Sequence, residues 1–254
     1  MKIRFCILAA ALMGLVSCGG EKEPFRTEVF ECEESYPLAE GTDACLSVGI
    51  KIEYPVAGAP QEVLARIDTT IVERTVGPGS LEEAVRSYID AAVADYRANA
   101  GDLLRWAEEE GAGSGPLNWE EQKVGSVYAV CDSLLSYDIY AYSYQGGAHG
   151  LSGTESLVFD LRDGHLVMQD ELFAPGCLDA LGELLSSHLR EAMPDEDSYD
   201  ALFVKDIEPN GNFRISKKGI TYIYNPYSIG PYYLGAIEVT VPWEEIEPLL
   251  KNCP

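Results

Sequence analysis

The chain is short of positive charge. Its 254 residues carry 18 Lys+Arg against 42 Asp+Glu, a formal charge of −24. That balance excludes a nucleic-acid binder, whose affinity rests on Lys and Arg neutralising phosphates, and disfavours docking on anionic lipid head groups. Histidine is scarce too, with only His149, His165 and His188. There is no His-Glu-x-x-His, no Gly-x-Ser-x-Gly elbow and no phosphate-cradling glycine loop before a lysine. Neither His165 nor His188 has a metal-ligating neighbour at useful spacing. Both therefore read as structural, no metal or other cofactor is expected, and no catalytic residue can be nominated. Acidic pairs such as Glu120-Glu121 and Glu244-Glu245 are plentiful, but among 42 carboxylates such pairs arise by chance and line solvated faces. No apolar run reaches the roughly 20 residues that a bilayer-spanning helix needs. The apolar fraction of 46% nevertheless excludes wholesale disorder.

What the chain does have begins at its N-terminus. Lys2 and Arg4 precede an uncharged stretch over residues 5–16, which ends in Leu15-Val16-Ser17-Cys18. A basic start, a short apolar core and small residues at the cut are the plan of a secretory signal. The tetrad resembles the bacterial lipobox, whose cysteine is acylated and becomes the new N-terminus. On this reading residues 1–17 are a lipoprotein signal, Cys18 carries lipid and makes a membrane the first partner, and residues 18–27 are a polar tether. Gly19 stands where an Asp often retains lipoproteins on the inner membrane, which favours the outer one. Cleavage removes Lys2 and Arg4 and no acid, leaving 16 Lys+Arg against 42 Asp+Glu and a charge of −26. Such a field steers cationic partners toward the protein.

Beyond Cys6 and Cys18 five cysteines remain: Cys32, Cys45, Cys131, Cys177 and Cys253. An odd number leaves at least one thiol unpaired, and no pair has the short spacing of a zinc motif. Cys32 and Cys45 fall in neighbouring predicted strands and could bridge; the pairing otherwise stays open.

The remainder reads as α+β, a mostly antiparallel sheet packed with two to three helices. Strands are predicted over 28–37 and 44–55. In the second, Leu46, Val48, Ile50 and Ile52 alternate with polar or small residues, the period of a half-buried strand. A helix over 61–75 precedes a stronger one from Ser80, where Ser80 and Glu83 form a capping-box pattern. Leu81, Ala84, Val85, Tyr88, Ile89, Ala92, Val93 and Tyr96 give it an apolar stripe that fades near Gly101, and a loop follows over 108–116. Strands are expected over 124–130 and 134–144, the latter apolar on both faces and so expected to be covered on both. Another strand over 154–161 turns at Asp163-Gly164 into a partner over 165–168. A leucine helix from Leu178, an acidic loop at Asp195-Glu196-Asp197, a hairpin around Lys218-Gly219, a strand over 234–241 and a helix over 243–250 complete the chain. This divides into an N-terminal part, 28–150, and a C-terminal part, 151–254, expected to form one compact unit.

One loop concentrates unusual residues. Tyr144-Gln145-Gly146-Gly147-Ala148-His149-Gly150 follows the strongest strand, and its glycines permit positive φ and close backbone approach. It is either a recognition loop presenting His149 or a sharp reversal whose histidine caps carbonyls; the residues by themselves favour the reversal. Downstream stand Leu157-Val158-Phe159-Asp160-Leu161, Asp163-Gly164, Asp170-Glu171-Leu172-Phe173 and Phe213-Arg214-Ile215-Ser216. After these come Gly219-Ile220-Thr221-Tyr222-Ile223-Tyr224-Asn225-Pro226-Tyr227-Ser228-Ile229-Gly230-Pro231-Tyr232, then Val239-Thr240-Val241-Pro242-Trp243.

This succession, over residues 44–251, resembles the extracytoplasmic domain of unknown function shared by two kinds of bacterial protein. One is the RsiV-type anti-sigma factor, which senses lysozyme; the other is the PdaC-type peptidoglycan deacetylase, in its N-terminal part. No transmembrane helix or cytoplasmic segment to hold a sigma factor is expected from this sequence, nor a deacetylase domain with an Asp/His/His metal set. The resemblance therefore implies the exported module alone, a non-enzymatic binder of a cationic protein such as lysozyme or of a peptidoglycan-derived ligand. A glycan-modifying protein is the alternative. The ligand-binding candidates are Tyr144, Gly146, Gly147, His149, Tyr224, Tyr227, Tyr232 and Tyr233, the aromatics serving as interface anchors or sugar-stacking platforms.

Overall fold

A computed structural model of the chain describes residues 6–8, 24–110 and 117–251. Cys18 and most of the expected signal and tether lie outside the described residues, as do residues 111–116 and Cys253. The strands are β1 (Cys6–Leu8), β2 (Arg26–Pro37), β3 (Cys45–Ala57), β4 (Trp119–Cys131), β5 (Leu134–Tyr144), β6 (Leu151–Asp160), β7 (Phe213–Ser216), β8 (Gly219–Tyr224) and β9 (Ile237–Pro242). The helices are α1 (Gln61–Val76), α2 (Leu81–Glu110), α3 (Gln169–Leu172), α4 (Leu178–Ala192), α5 (Glu196–Asp200) and α6 (Trp243–Ile246). The fold is mixed α+β with mostly antiparallel pairing, as the sequence implies. No helix among the described residues is long and apolar enough to cross a membrane. The chain separates into two compact units, Met1–Ser126 with Ile139–Ser152, and Val127–Asp138 with Gly153–Pro254.

In the first unit β1 and β2 pair antiparallel, β2 and β3 pair antiparallel, and β3 pairs parallel with β4. Parallel neighbours need a crossover, and α1 and α2 supply it. Leu46, Val48, Ile50 and Ile52 are buried on one face of β3. Against this face pack α1, through Val63, Leu64, Ile67 and Ile71, and α2, through Ala84, Val85, Ile89 and Tyr96. Each buried Val, Leu or Ile side chain among them contributes about 1.5–3 kcal/mol. The capping box forms as expected: Ser80 N donates to Glu83 Oε2 at 3.2 Å and Glu83 N to Ser80 Oγ at 3.4 Å. Tyr96 anchors the far end, donating to Leu117 O at 2.9 Å with its ring 5.3 Å from that of Trp119.

In the second unit β7, β8 and β9 form an antiparallel sheet in that order. Helix α4 packs on β9 and buries Leu181, Leu185 and Leu189. Polar side chains complete what strand pairing leaves open. Asn225 clamps Thr154, accepting from its N–H at 2.8 Å and donating to its carbonyl at 3.0 Å. Asn212 likewise accepts from Ser156 N and donates to Thr154 O. Ser136 Oγ accepts from Ile215 N and donates to Ile215 O, at 2.8 and 2.9 Å. Buried Arg214 is paired with Asp138 and Glu238, and its guanidinium lies 3.8 Å from the Tyr128 ring centre.

Several expectations change. Cys32 pairs with Ile50 and Cys45 with Pro37, so the two cysteines stand five residues apart along the ladder, about 17 Å. A disulfide needs Cα atoms within roughly 7 Å, and Cys32, Cys45, Cys131 and Cys177 are free thiols. Strand β5 is not covered on both faces: Leu135, Tyr137 and Ile139 are buried, whereas Tyr140 is exposed and Tyr142 and Tyr144 partly so. Tyrosine suits this role because its ring packs while its hydroxyl stays wet. The predicted strand over 165–168 is reduced to one bridge, Phe159 with Leu166, flanked by Asp160 N donating to His165 O and Val167 N to Val158 O, and α3 begins directly after it, with Met168 N donating to Glu171 Oε1 at 2.9 Å. Helix α2 does not fade at Gly101 but runs through it, and the acidic 195–197 segment is the start of α5, with Asp195 Oδ1 accepting from Ser198 N at 2.7 Å. Arg26 and Thr27, expected in the tether, open β2.

Candidate functional site

The candidates divide between the two units. In the first, the glycine loop after β5 is stapled to itself. Tyr144 Oη donates to Gly147 O at 3.1 Å, and His149 Nδ1 donates to Gly150 O at 2.9 Å. Gly146 and Gly147 have φ of 83° and 98°. Gly150 is required for another reason: a Cβ there would come within 2.6 Å of the Tyr142 hydroxyl. Glycine, tyrosine and histidine thus cooperate in one sharp reversal, with His149 at its exposed surface.

In the second unit the four tyrosines separate by burial. Tyr224 is only 3% exposed and donates to Glu208 O at 2.8 Å. Burial raises its pKa above the ordinary tyrosine range. It is a pillar of the core, like Tyr222, whose hydroxyl donates to Gln169 Oε1 at 3.2 Å. Tyr227, Tyr232 and Tyr233 lie on the 225–235 loop. Tyr227 is 52% exposed and Tyr233 72%, while Tyr232 is half-buried with its ring 5.6 Å from that of Tyr227.

The loop is held firmly. Asn225 fixes its start on Thr154, and Ser228 N donates to Asn225 O at 2.9 Å, closing a turn over Pro226 and Tyr227. Tyr227 has φ of 70°, a conformation that glycine adopts at no steric cost and an L side chain adopts at about 1 kcal/mol or more. Gly230 sits in a tight niche, where a Cβ would meet Leu202 at 3.0 Å and Leu234 at 3.1 Å. Gly235, φ 69°, ends the helical turn that carries Tyr232 and Tyr233.

Sequence reasoning missed Phe203 and Val204. Their N–H groups donate to Ile229 O at 2.8 and 3.2 Å, so this segment is bonded to the middle of the loop. Phe203 is 64% exposed and Val204 is exposed too. The only signal was an apolar run, Ala201-Leu202-Phe203-Val204, lying outside any periodic element. Beside it, Arg190 and Lys205 both lie over the Tyr199 ring, 3.9 and 4.5 Å from its centre.

The other two histidines each face carboxylates. His165 Nδ1 is 2.6 Å from Asp163 Oδ1 and Nε2 is 3.2 Å from Glu171 Oε2, contacts that raise its pKa, Asp163 foremost. His188 Nε2 is 3.1 Å from Glu245 Oε2. Among the described residues no group of three or more His, Cys, Asp or Glu side chains is placed to hold a metal ion. The arrangement presents aromatic side chains to solvent on a loop fixed by backbone and Asn225 hydrogen bonds.

Residues 25–152, half of the chain, match the family model described as Deacetylase PdaC. The chain belongs to the PdaC family. Residues 170–244 of this PdaC-family chain match a second model, described as a protein of unknown function, DUF3298. Two solved structures share its fold. A DUF3298 family member from Bacteroides fragilis is 24% identical with a TM-score of 0.79, the match covering 91% of this chain and 95% of that one. A DUF3298 family protein from Pseudomonas aeruginosa is 20% identical with a TM-score of 0.66, covering 92% and 98%. No curated protein matches in sequence.

Proposed function

We propose that this chain is a lipid-anchored binding module of the bacterial envelope, acylated at Cys18, exported to the outer membrane and acting without catalysis. Its ligand is a cationic, envelope-directed protein such as a lysozyme, received on the aromatic 225–235 loop of the second unit. The observation that carries this reading is Tyr227, a bulky residue at φ 70° with half its surface in solvent. Strain of this kind persists where the surroundings over-determine it, and it clusters at ligand clamps. The −24 charge supports a cationic partner by speeding encounter.

The test is calorimetry of the chain from Glu21 onward with lysozyme, at about 0.15 M and about 0.5 M salt, where Coulombic attraction is strongly screened. A stoichiometric complex that survives the higher salt supports shape-specific recognition. Binding that vanishes with salt reduces the charge to generic attraction and rejects the reading. The paired Tyr227 and Tyr232 rings favour one other ligand, a peptidoglycan-derived glycan stacked on tyrosine. Saturable binding of soluble peptidoglycan fragments without lysozyme binding would select it.

A further inference from the structure

Strand β3 contains a glycine that its fold does not ask for. Gly49 sits in the middle of a thirteen-residue strand without the positive φ that would demand glycine. The register of β2 and β3 is unbroken around it, Glu33 standing opposite, and on its other side stands Gln122 of β4. A Cβ at Gly49 would meet only Gln122 Cγ, at 3.9 Å, an ordinary contact. A strand-interior glycine weakens the sheet and marks a bulge, a bend or a place where something approaches closely. Bulge and backbone constraint are both absent here.

Gly49 floors a hollow of about 340 Å³ on the face of the sheet away from α1 and α2. The next row along the ladder is Ser35, Ser47 and Glu120. The lining thus holds three glutamates (Glu33, Glu34 and Glu120), two serines and the Gln122 amide beside Val48, with Gln122 Nε2 donating to Glu120 Oε1. Lys51, opposite Glu31 on the same face, is outside the lining. A rim rich in acceptors around an unfilled floor matches a group that only donates. An ammonium offers three donors and a guanidinium five.

We infer that the Gly49 hollow receives a lysine or arginine side chain of a cationic partner, making the outer face of β2, β3 and β4 a second contact surface. The inference rests on the reading that the partner is cationic, which the charge excess supports, and it is independent of the tyrosine loop.

The test is calorimetric titration of the soluble chain with a hexalysine peptide, and with its fully acetylated form, at about 0.15 M salt. Gly49→Val changes no charge and fills the floor, with a residue that suits strands. Glu33→Gln with Glu120→Gln removes two of the three acceptor charges, and Asp179→Asn with Glu183→Gln removes equal charge on α4. The expected result is that the first two variants weaken hexalysine binding at least about fivefold, the α4 variant changes it less than about twofold, and the acetylated peptide does not bind. Wild-type affinity in Gly49→Val, or equal losses in the two charge variants, would overturn the inference. Should Gly49→Val fail to fold, the contrast between the two charge variants decides. Tyr227→Gly separates this site from the loop, because it should lower lysozyme affinity and leave hexalysine affinity unchanged.

Discussion

Tyr227 shows how one residue can be legible in kind and illegible in place. The run Asn225-Pro226-Tyr227-Ser228 announces a turn, since proline pre-sets φ at its first central position. Only the folded chain shows that the next position takes φ 70° and holds tyrosine where glycine belongs. Tyr227→Gly is therefore expected to keep or slightly raise the thermal midpoint, by relief of about 1 kcal/mol of strain, while lowering lysozyme affinity at least about tenfold. Thermal unfolding and calorimetry on the same variant check it; a fall of several degrees would make the ring a structural support. Tyr224, three positions earlier, was a candidate on the same grounds of residue type, yet it is core. All six residues of β8 are buried, so the alternation that exposes every second side chain on an ordinary strand carries no information there.

Elements were read best where periodicity and end signals agree. The Ser80–Glu83 capping box and the apolar stripe behind it locate α2, and hydrogen bonding to Ser80 lowers the Glu83 pKa. Helix α1 follows its Leu64, Ile67 and Ile71 stripe but includes Asp68, one turn from Leu64 and Val72. Burial pushes the Asp68 pKa up to about 7, and its Oδ1 is buried with no hydrogen-bond partner among the described residues. Its unfolded value lies near 3.9, so the folded state holds the proton more tightly. The carboxyl therefore costs nothing below about pH 4, costs progressively more as pH rises toward 7, and costs most above it. Asp68→Asn should raise the thermal midpoint by a few degrees at pH 8 and leave it unchanged at pH 4, as calorimetry at the two values will show. Short elements were the poorest fits. The 165–168 strand is cut to a single bridge because α3 starts at Gln169, its first turn fixed by Glu171 Oε1 accepting from Met168 N, a side-chain contact that β-propensity does not describe.

At the scale of the molecule, charge has two opposite consequences. An excess of 42 Asp+Glu over 18 Lys+Arg repels itself in the compact state and attracts cations from outside. Raising salt from about 0.02 M to about 0.5 M shortens the screening length several-fold. The thermal midpoint should then rise by a few degrees while association with lysozyme slows. Scanning calorimetry and stopped-flow mixing over one salt series check both signs; a midpoint that falls with salt would mean that attractive pairs such as Arg214 with Asp138 and Glu238 outweigh the repulsion.

The sequence by itself determined the α+β class, the order of the long strands and helices, the charge and the family, because these depend on local periodicity, composition and motif order along one dimension. Tertiary structure decided which tyrosines face water, that Cys32 and Cys45 stand too far apart to bridge, that Phe203 and Val204 join the 225–235 loop, and that Gly49 opens a hollow. Each of these depends on strand register or on packing between residues distant in the chain. A shift of one residue in register reverses every face, and a strand such as β8, buried on both faces, has no alternation to specify it.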